Sequence, residues 1–265
     1  MKILIATPAY GGQATTVYCE TLIRLLDHFA QSHPHVRFEH KFLSLSILPF
    51  MRNVFANLVM QDESFTHLLF VDADMGFAPS LIEHMIAADK PVVGAIYPHR
   101  RFDLDKFYAL REEIADPDVT RMVAIDYVGA GSVELVDGAS GDGEPRPASN
   151  LIVDGPCVRV RDIGAGIMLI RREVFDRIKA RYPELWCETI ENTYGKFGLK
   201  GGVLQCFEPM PDENGHYCGE DTAFCRRWVQ GCGGEIWAVV TETITHVGQE
   251  IFAGHYLTKL QHGQI

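Results

Sequence analysis

His67-Leu-Leu-Phe-Val-Asp72-Ala-Asp74-Met-Gly-Phe77 sets a short apolar run against two carboxylates one residue apart. A run of that length and composition reads as a buried parallel strand, and the carboxylates fall where the strand should end. Side chains one residue apart at such an extended end share a direction. Two carboxylates side by side at the carboxyl end of a parallel strand repel unless a cation sits on them, and hard oxygen ligands suit Mg²⁺ or Mn²⁺. A metal site is therefore one reading. The other makes Asp72 and Asp74 an Asx turn that caps a helix beginning near Pro79.

Working outward, Lys2-Ile-Leu-Ile-Ala-Thr7-Pro8-Ala9-Tyr10-Gly11-Gly12 is an apolar strand stopped by Pro and Gly. Val17, Tyr18, Leu22, Leu25, Leu26 and Phe29 then recur at helical spacing. Strand, glycine turn and helix in that order open a doubly wound α/β fold, whose ligands bind at the carboxyl ends of the strands. Thr7 to Gly12 should lie there, with the glycines closing a tight turn. They form neither G-x-G-x-x-G nor a Walker loop, so a dinucleotide site and a P-loop are both unsupported. Val36, Phe38, His40 and Phe42 alternate with charged residues, the period of a second strand. Phe50 to Gln61 reads as a helix carrying Arg52 near its start, where a guanidinium can meet a phosphate or a nucleobase. Pro91 to Tyr97 is a fourth strand, ending in the basic cluster Pro98-His99-Arg100-Arg101.

Three strand–helix units in about a hundred residues make a nucleotide-binding-like half. The pattern then changes. Residues 103–150 are acidic, then β-rich over Met122–Val128 and Ser132–Val136, and close in a turn-rich run at 137–147 that reads as a mobile surface loop. Asp162 to Ile170 passes from small residues, which allow close approach of a ligand or another backbone, into an apolar strand, and Arg171–Arg181 reads as a helix. Tyr194–Gly202, rich in glycine, reads as a flexible loop. Gly219-Glu220-Asp221 opens an amphipathic helix whose first carboxylates suit its dipole. Glu235–Val240 is a last strand running toward Thr245-His246-Val247-Gly248, and the tail from Gln249 onward takes no assignment.

At 265 residues the chain is long enough for a well-buried core, and 47% hydrophobic residues exclude a disordered chain. A net charge of -11 argues against a broad nucleic-acid or anionic-membrane surface. Seven cysteines without a C-x-x-C pair point to reduced thiols rather than a zinc ribbon or a disulfide framework. No apolar run approaches the roughly 20 residues of a membrane span, and the first apolar run is too short for a signal-peptide core. The expectation is a soluble, cytoplasmic protein without stable membrane insertion.

Taken together, the opening Ile-Ala-Thr-Pro-Ala-Tyr strand, the D-x-D of Asp72-Ala73-Asp74, Gly164-Ala-Gly166-Ile-Met-Leu-Ile-Arg-Arg-Glu-Val-Phe175 and the Glu220-Asp221 helix start resemble the GT-A nucleotide-sugar glycosyltransferases. The likeness is to the small family-2-like bacterial and phage-type enzymes. It implies an α/β, GT-A-like single domain over 1–265, with a doubly wound mixed sheet. Its nucleotide-binding N-terminal half would be 1–100, a variable insertion 101–155, and an acceptor-side, catalytic C-terminal half 156–250. It also implies a metal-dependent transfer from a nucleoside-diphosphate sugar donor to an acceptor hydroxyl. Thr7, Pro8, Ala9, Tyr10, Arg52, Asp72, Ala73 and Asp74 would bind the donor. Asp72, Asp74 and His246 would hold Mn²⁺ or Mg²⁺, the histidine favouring Mn²⁺. Asp221 would be the general base of an inverting enzyme, with Glu220 beside it. The acceptor could be a glycan, a small molecule, a protein or, against the charge of -11, a modified nucleic-acid base. A sugar-1-phosphate nucleotidyltransferase is the enzymatic alternative, but Thr7–Thr16 lacks the Lys or Arg of a triphosphate loop. A catalytically silent nucleotide-sugar-binding module is the alternative outside catalysis.

Overall fold

A computed structural model describes residues 1–136, 150–188, 194–248 and 251–263. Its strands are β1 Lys2–Pro8, β2 Arg37–Leu43, β3 His67–Val71, β4 Met75–Gly76, β5 Val92–Ala95, β6 Tyr97–Pro98, β7 Tyr127–Val128, β8 Val153–Asp154, β9 Cys157–Val160 and β10 Ile167–Arg171. Toward the carboxyl end come β11 Ile236–Val239, β12 Thr243–Val247 and β13 Ile251–His255. The helices are α1 Thr16–Ser32, α2 Leu48–Gln61, α3 Ser80–Ala87, α4 Leu104–Leu110, α5 Pro117–Ala124, α6 Arg172–Arg181, α7 Glu220–Arg226 and α8 Tyr256–Gln261. Four very short strand pieces between α6 and α7 complete the set.

Eight strands form the main sheet in the order β2-β1-β3-β10-β5-β11-β9-β8. β1 runs parallel to β2 and β3, and β11 parallel to β5, whereas β10 is antiparallel to both of its neighbours. The mixed α/β sheet expected from the sequence is thus present. Alternation along each strand feeds two cores, one per face, as a sheet covered on both sides requires. Leu4, Ala6, Leu68 and Phe70 pack with Phe55, Phe175, Phe224 and Trp228 beneath α2, α6 and α7. On the opposite face, Ile3, Ile5, Leu69 and Val71 meet Tyr18, Leu25 and Phe29 of α1 and Leu81, Ile82 and Met85 of α3.

Several local expectations fail. Met122–Val128 is not a strand throughout: Asp116 caps α5 by accepting from the N–H groups of Asp118 and Val119, and Pro117 fits its first turn, so helix runs to Ala124. Ser132–Val136 contributes only isolated bridges, Val133 to Val160 and Leu135 to Leu151. The turn-rich run 137–147 lies outside the described residues. Tyr194–Gly202 is packed rather than free, with Tyr194 stacked on Phe50 of α2 at a centroid distance of 4.8 Å and Leu199 buried. The tail that took no assignment forms β13 and α8. Among the described residues no helix is long and apolar enough to cross a membrane.

Candidate active site

β3 ends at Val71, and the Asp72 N–H donates to the Gly166 carbonyl at 2.8 Å, carrying the ladder one residue further. The chain then turns, the Met75 N–H returning to the Asp72 carbonyl at 3.1 Å. This turn overturns the expectation that the two carboxylates share a direction, because that rule holds only for an extended chain. Asp72 faces Arg52, whereas Asp74 faces Arg100 and His246. Neither caps α3, whose N-cap is Pro79 with no side-chain bond.

Past the turn, β4 pairs antiparallel with β12, placing Met75 opposite His246 and Gly76 opposite Thr245, while the Val247 N–H donates to the Asp74 carbonyl at 2.9 Å. Backbone pairing therefore delivers His246 to Asp74, with Nε2 lying 3.5 Å from Asp74 Oδ2. The other ring nitrogen, Nδ1, is 2.8 Å from the Pro98 carbonyl. A carbonyl only accepts, so Nδ1 carries a proton, which leaves Nε2 as the ring atom turned toward Asp74. Asp72 is not part of one tight cluster with these two. Its carboxylate accepts from Arg52 Nη2 at 3.2 and 3.4 Å.

Arg52 was expected to meet a ligand, but only 2% of its side chain is exposed. Its Nη1 donates to the Ala165 carbonyl at 3.1 Å, its Nε to Glu220 Oε1 at 3.3 Å, and its guanidinium carbon lies 4.9 Å from the Phe70 ring centroid. With its donors turned inward it ties Asp72 to Glu220. Burial disfavours the guanidinium charge, yet Asp72 and Glu220 outweigh this and hold its pKa above the ordinary value. For Asp72, burial dominates and, with Asp74 and Glu220 nearby, keeps the carboxyl above the usual carboxylate range despite Arg52. Next along α2, Asn53 and Asn57 accept from the N–H groups of Phe207 and Leu204, which pins the segment before α7 to the same helix.

A cleft of ≈ 560 Å³ opens at the carboxyl ends of β1 and β3, with Pro8, Tyr10, Asp72, Ala73, Asp74 and Arg100 in its wall. Thr7 and Ala9 do not reach it. Alternation along β1 turns Thr7 inward, where Oγ1 meets the Tyr18 hydroxyl at 2.6 Å and His40 Nε2 at 3.2 Å, and Ala9 is buried. Gly11 and Gly12 adopt φ of +65° and +71°, the left-handed region that favours glycine, so they close a turn as expected. Glu220 and Asp221 stand at the first turn of α7, with Asp221 Oδ1 accepting from the Thr222 N–H at 2.8 Å. Asp221 lies near enough to Tyr97 and Arg52 to contribute to raising the pKa of both.

Two residues outside the expected donor and metal sets belong to this region. Arg100 Nη1 donates to Asp74 Oδ2 at 3.0 Å from the cleft wall; the basic cluster after the fourth strand was its signal. Tyr97 is buried and its hydroxyl accepts from the Gly166 N–H at 3.3 Å. The small residues of Gly164-Ala-Gly166 serve this contact rather than a ligand, because a Cβ at Gly164 would fall 2.2 Å from that hydroxyl and one at Gly166 2.8 Å from it.

No protein-family model and no curated protein matches the sequence. Among solved structures the chain is similar to A197 from STIV, at 14% identity and a TM-score of 0.45, covering 96% of this chain and 94% of that one. It is also similar to GalNAc-T7 solved with UDP, GalNAc and Mn²⁺, at 11% identity and a TM-score of 0.45, covering 93% of this chain but 44% of that one. A third likeness, to the galactosyltransferase LgtC in complex with donor and acceptor sugar analogs, has 12% identity and a TM-score of 0.35, covering 89% of this chain and 72% of that one.

Proposed function

We propose that this chain is a divalent-metal-dependent glycosyltransferase that moves a sugar from a nucleoside-diphosphate sugar to an acceptor hydroxyl with inversion. The observation that carries the reading is the pairing of Asp74 with His246 beside the cleft. With Nδ1 committed to Pro98, His246 turns Nε2 toward a carboxylate oxygen 3.5 Å away. One nitrogen with one carboxylate is a donor set that Mn²⁺ accepts. Asp74 and His246 would hold the ion, with Asp72 behind them. Such an ion neutralises the diphosphate leaving group as a Lewis acid.

The chain's own groups supply the rest. Arg100, half exposed in the cleft wall, donates to phosphate oxygens, for which its fork is suited. Tyr10, 76% exposed at the rim, offers a ring face to the nucleobase. Asp221 takes the proton of the acceptor hydroxyl as general base. Glu220, held by Arg52, is less free to do so.

The test is a thermal-shift screen of nucleoside diphosphates and their sugars with and without Mn²⁺, followed by an assay of donor hydrolysis. A binder of the native state raises the melting temperature by mass action. Mn²⁺-dependent stabilisation by one nucleoside diphosphate, with release of that diphosphate from its sugar, is the expected result. No nucleotide-dependent shift in the presence of Mn²⁺ would overturn the reading.

A further inference from the structure

At the far end of α1 from the cleft, His28 Nε2 and His33 Nε2 converge on one oxygen, Glu83 Oε1 of α3, at 2.7 and 2.8 Å. The three donor atoms lie within 4.8 Å of one another, and this is the group of three among the described residues that does so. The Thr15 N–H at the start of α1 binds the Ala73 carbonyl, so the helix begins at the D-x-D turn. At a rise of 1.5 Å per residue, His28 stands about 20 Å along the axis from that point. The cluster is therefore separate from Asp74 and His246.

Its rings are held in place. Phe29, buried beside them, contacts His28 edge-on at 5.7 Å between centroids and His33 at 5.1 Å. The His33 N–H caps α1 on the Phe29 carbonyl at 2.9 Å, which fixes its backbone. Glu83 Oε1 accepts from both rings, and those hydrogen bonds hold its carboxyl below the usual carboxylate range. Two imidazole nitrogens and one carboxylate are the donor set of Zn²⁺, not of Mg²⁺ or Ca²⁺. Zinc–ligand bonds near 2.0 to 2.1 Å in a tetrahedron separate donors by about 3.3 Å, so replacing the two shared protons asks each nitrogen to recede by about half an ångström. Side chains 36%, 36% and 33% exposed have room to do this and leave a fourth position to water.

We propose that His28, His33 and Glu83 form a zinc site, distinct from the cleft, in which the ion ties α1 to α3. It rests on none of the residues assigned to transfer.

The experiment titrates Zn²⁺ by calorimetry into the full-length Asp74→Ala chain, whose cleft has lost its carboxylate ligand, and reads Co²⁺ substitution by visible absorption. One ion per chain, a raised melting temperature and the intense d–d bands of tetrahedral Co²⁺ are expected. All three should vanish when His28→Ala and His33→Ala, or Glu83→Gln alone, are added, while circular dichroism stays unchanged. Absence of Zn²⁺ binding in the Asp74→Ala chain overturns the proposal, as does binding that survives His28→Ala with His33→Ala, since the ion would then sit elsewhere.

Discussion

Arg52 Nε donates to Glu220 Oε1 across 3.3 Å, joining residues 168 positions apart in the chain. The same buried guanidinium holds Asp72 on its other side. Replacing it with the apolar Arg52→Met leaves two carboxylates without their cation, a change expected to cost about 3 to 5 kcal/mol. Urea unfolding followed by circular dichroism measures this. Arg52→Lys should restore little, because the three donors of an ammonium sit on one nitrogen and cannot replace bonds made from Nε, Nη1 and Nη2 to Glu220, Ala165 and Asp72. A midpoint unchanged in both variants would mean that the tie contributes nothing.

Asp221→Asn separates chemistry from binding. The amide keeps the size of the side chain and the acceptor for the Thr222 N–H but cannot take a proton. Donor affinity should hold while turnover to an acceptor falls by about 10² to 10⁴. A purely structural Asp221 predicts the reverse, with activity kept and stability slightly altered. Near-normal transfer would move the search for a base to Glu220.

Gly166→Ala tests the seat of Tyr97. The added Cβ would lie 2.7 Å from Met75 Cε and 2.8 Å from the Tyr97 hydroxyl. The flexible Met75 can move, but the buried tyrosine cannot easily do so. A loss of about 1 to 3 kcal/mol is expected, the usual cost of overpacking, read as a lower melting temperature. Combining it with Tyr97→Phe should recover part of that loss, and no recovery would place the strain elsewhere.

Acid sensitivity should trace partly to His67. Burial foremost, then the positive charges of Arg171 and the amino terminus, pushes its pKa down from 6.5 to about 4. A histidine with a depressed folded value stabilises the fold above its unfolded pKa and loses that contribution as pH falls through the folded one. The window thus runs from pH 6.5 down to about 4, and the shift corresponds to about 3 kcal/mol. Denaturation midpoints across this range should fall more steeply in the native chain than in His67→Asn. Parallel curves would show that His67 titrates alike in both states.

How much was legible follows from what each inference needed. Lys2–Pro8 and His67–Val71 were readable because apolar runs and turn residues are local signals, and the mixed α/β class followed from their order. Thr7 was also within reach: with Pro8 turned to the cleft, period-two alternation sends Thr7 inward, yet the turn chemistry drew attention to the whole stretch. The divergence of Asp72 and Asp74 was not legible, since it depends on β4 finding β12 across the chain. Nor was the burial of Arg52, because an arginine near the start of a helix looks alike whether it meets water, phosphate or two carboxylates. In α5 a helix signal, Asp116 before Pro117, stands in the sequence, but Met122–Val128 was read from its apolar run alone.

β10 stands between β3 and β5, antiparallel to both. A chain growing from its amino terminus therefore makes both flanking strands well before the strand that joins them. Until Ile167–Arg171 emerges, β3 and β5 each present an unpaired edge, the kind of surface that recruits strands from other molecules. Glu220 and His246 come later still, so the nascent chain holds Asp72 and Asp74 with neither the carboxylate that shares Arg52 nor the imidazole that faces the turn. Assembly of the site is thus coupled to completion of the sheet, and a fragment ending near residue 100 would carry the D-x-D turn on an open scaffold.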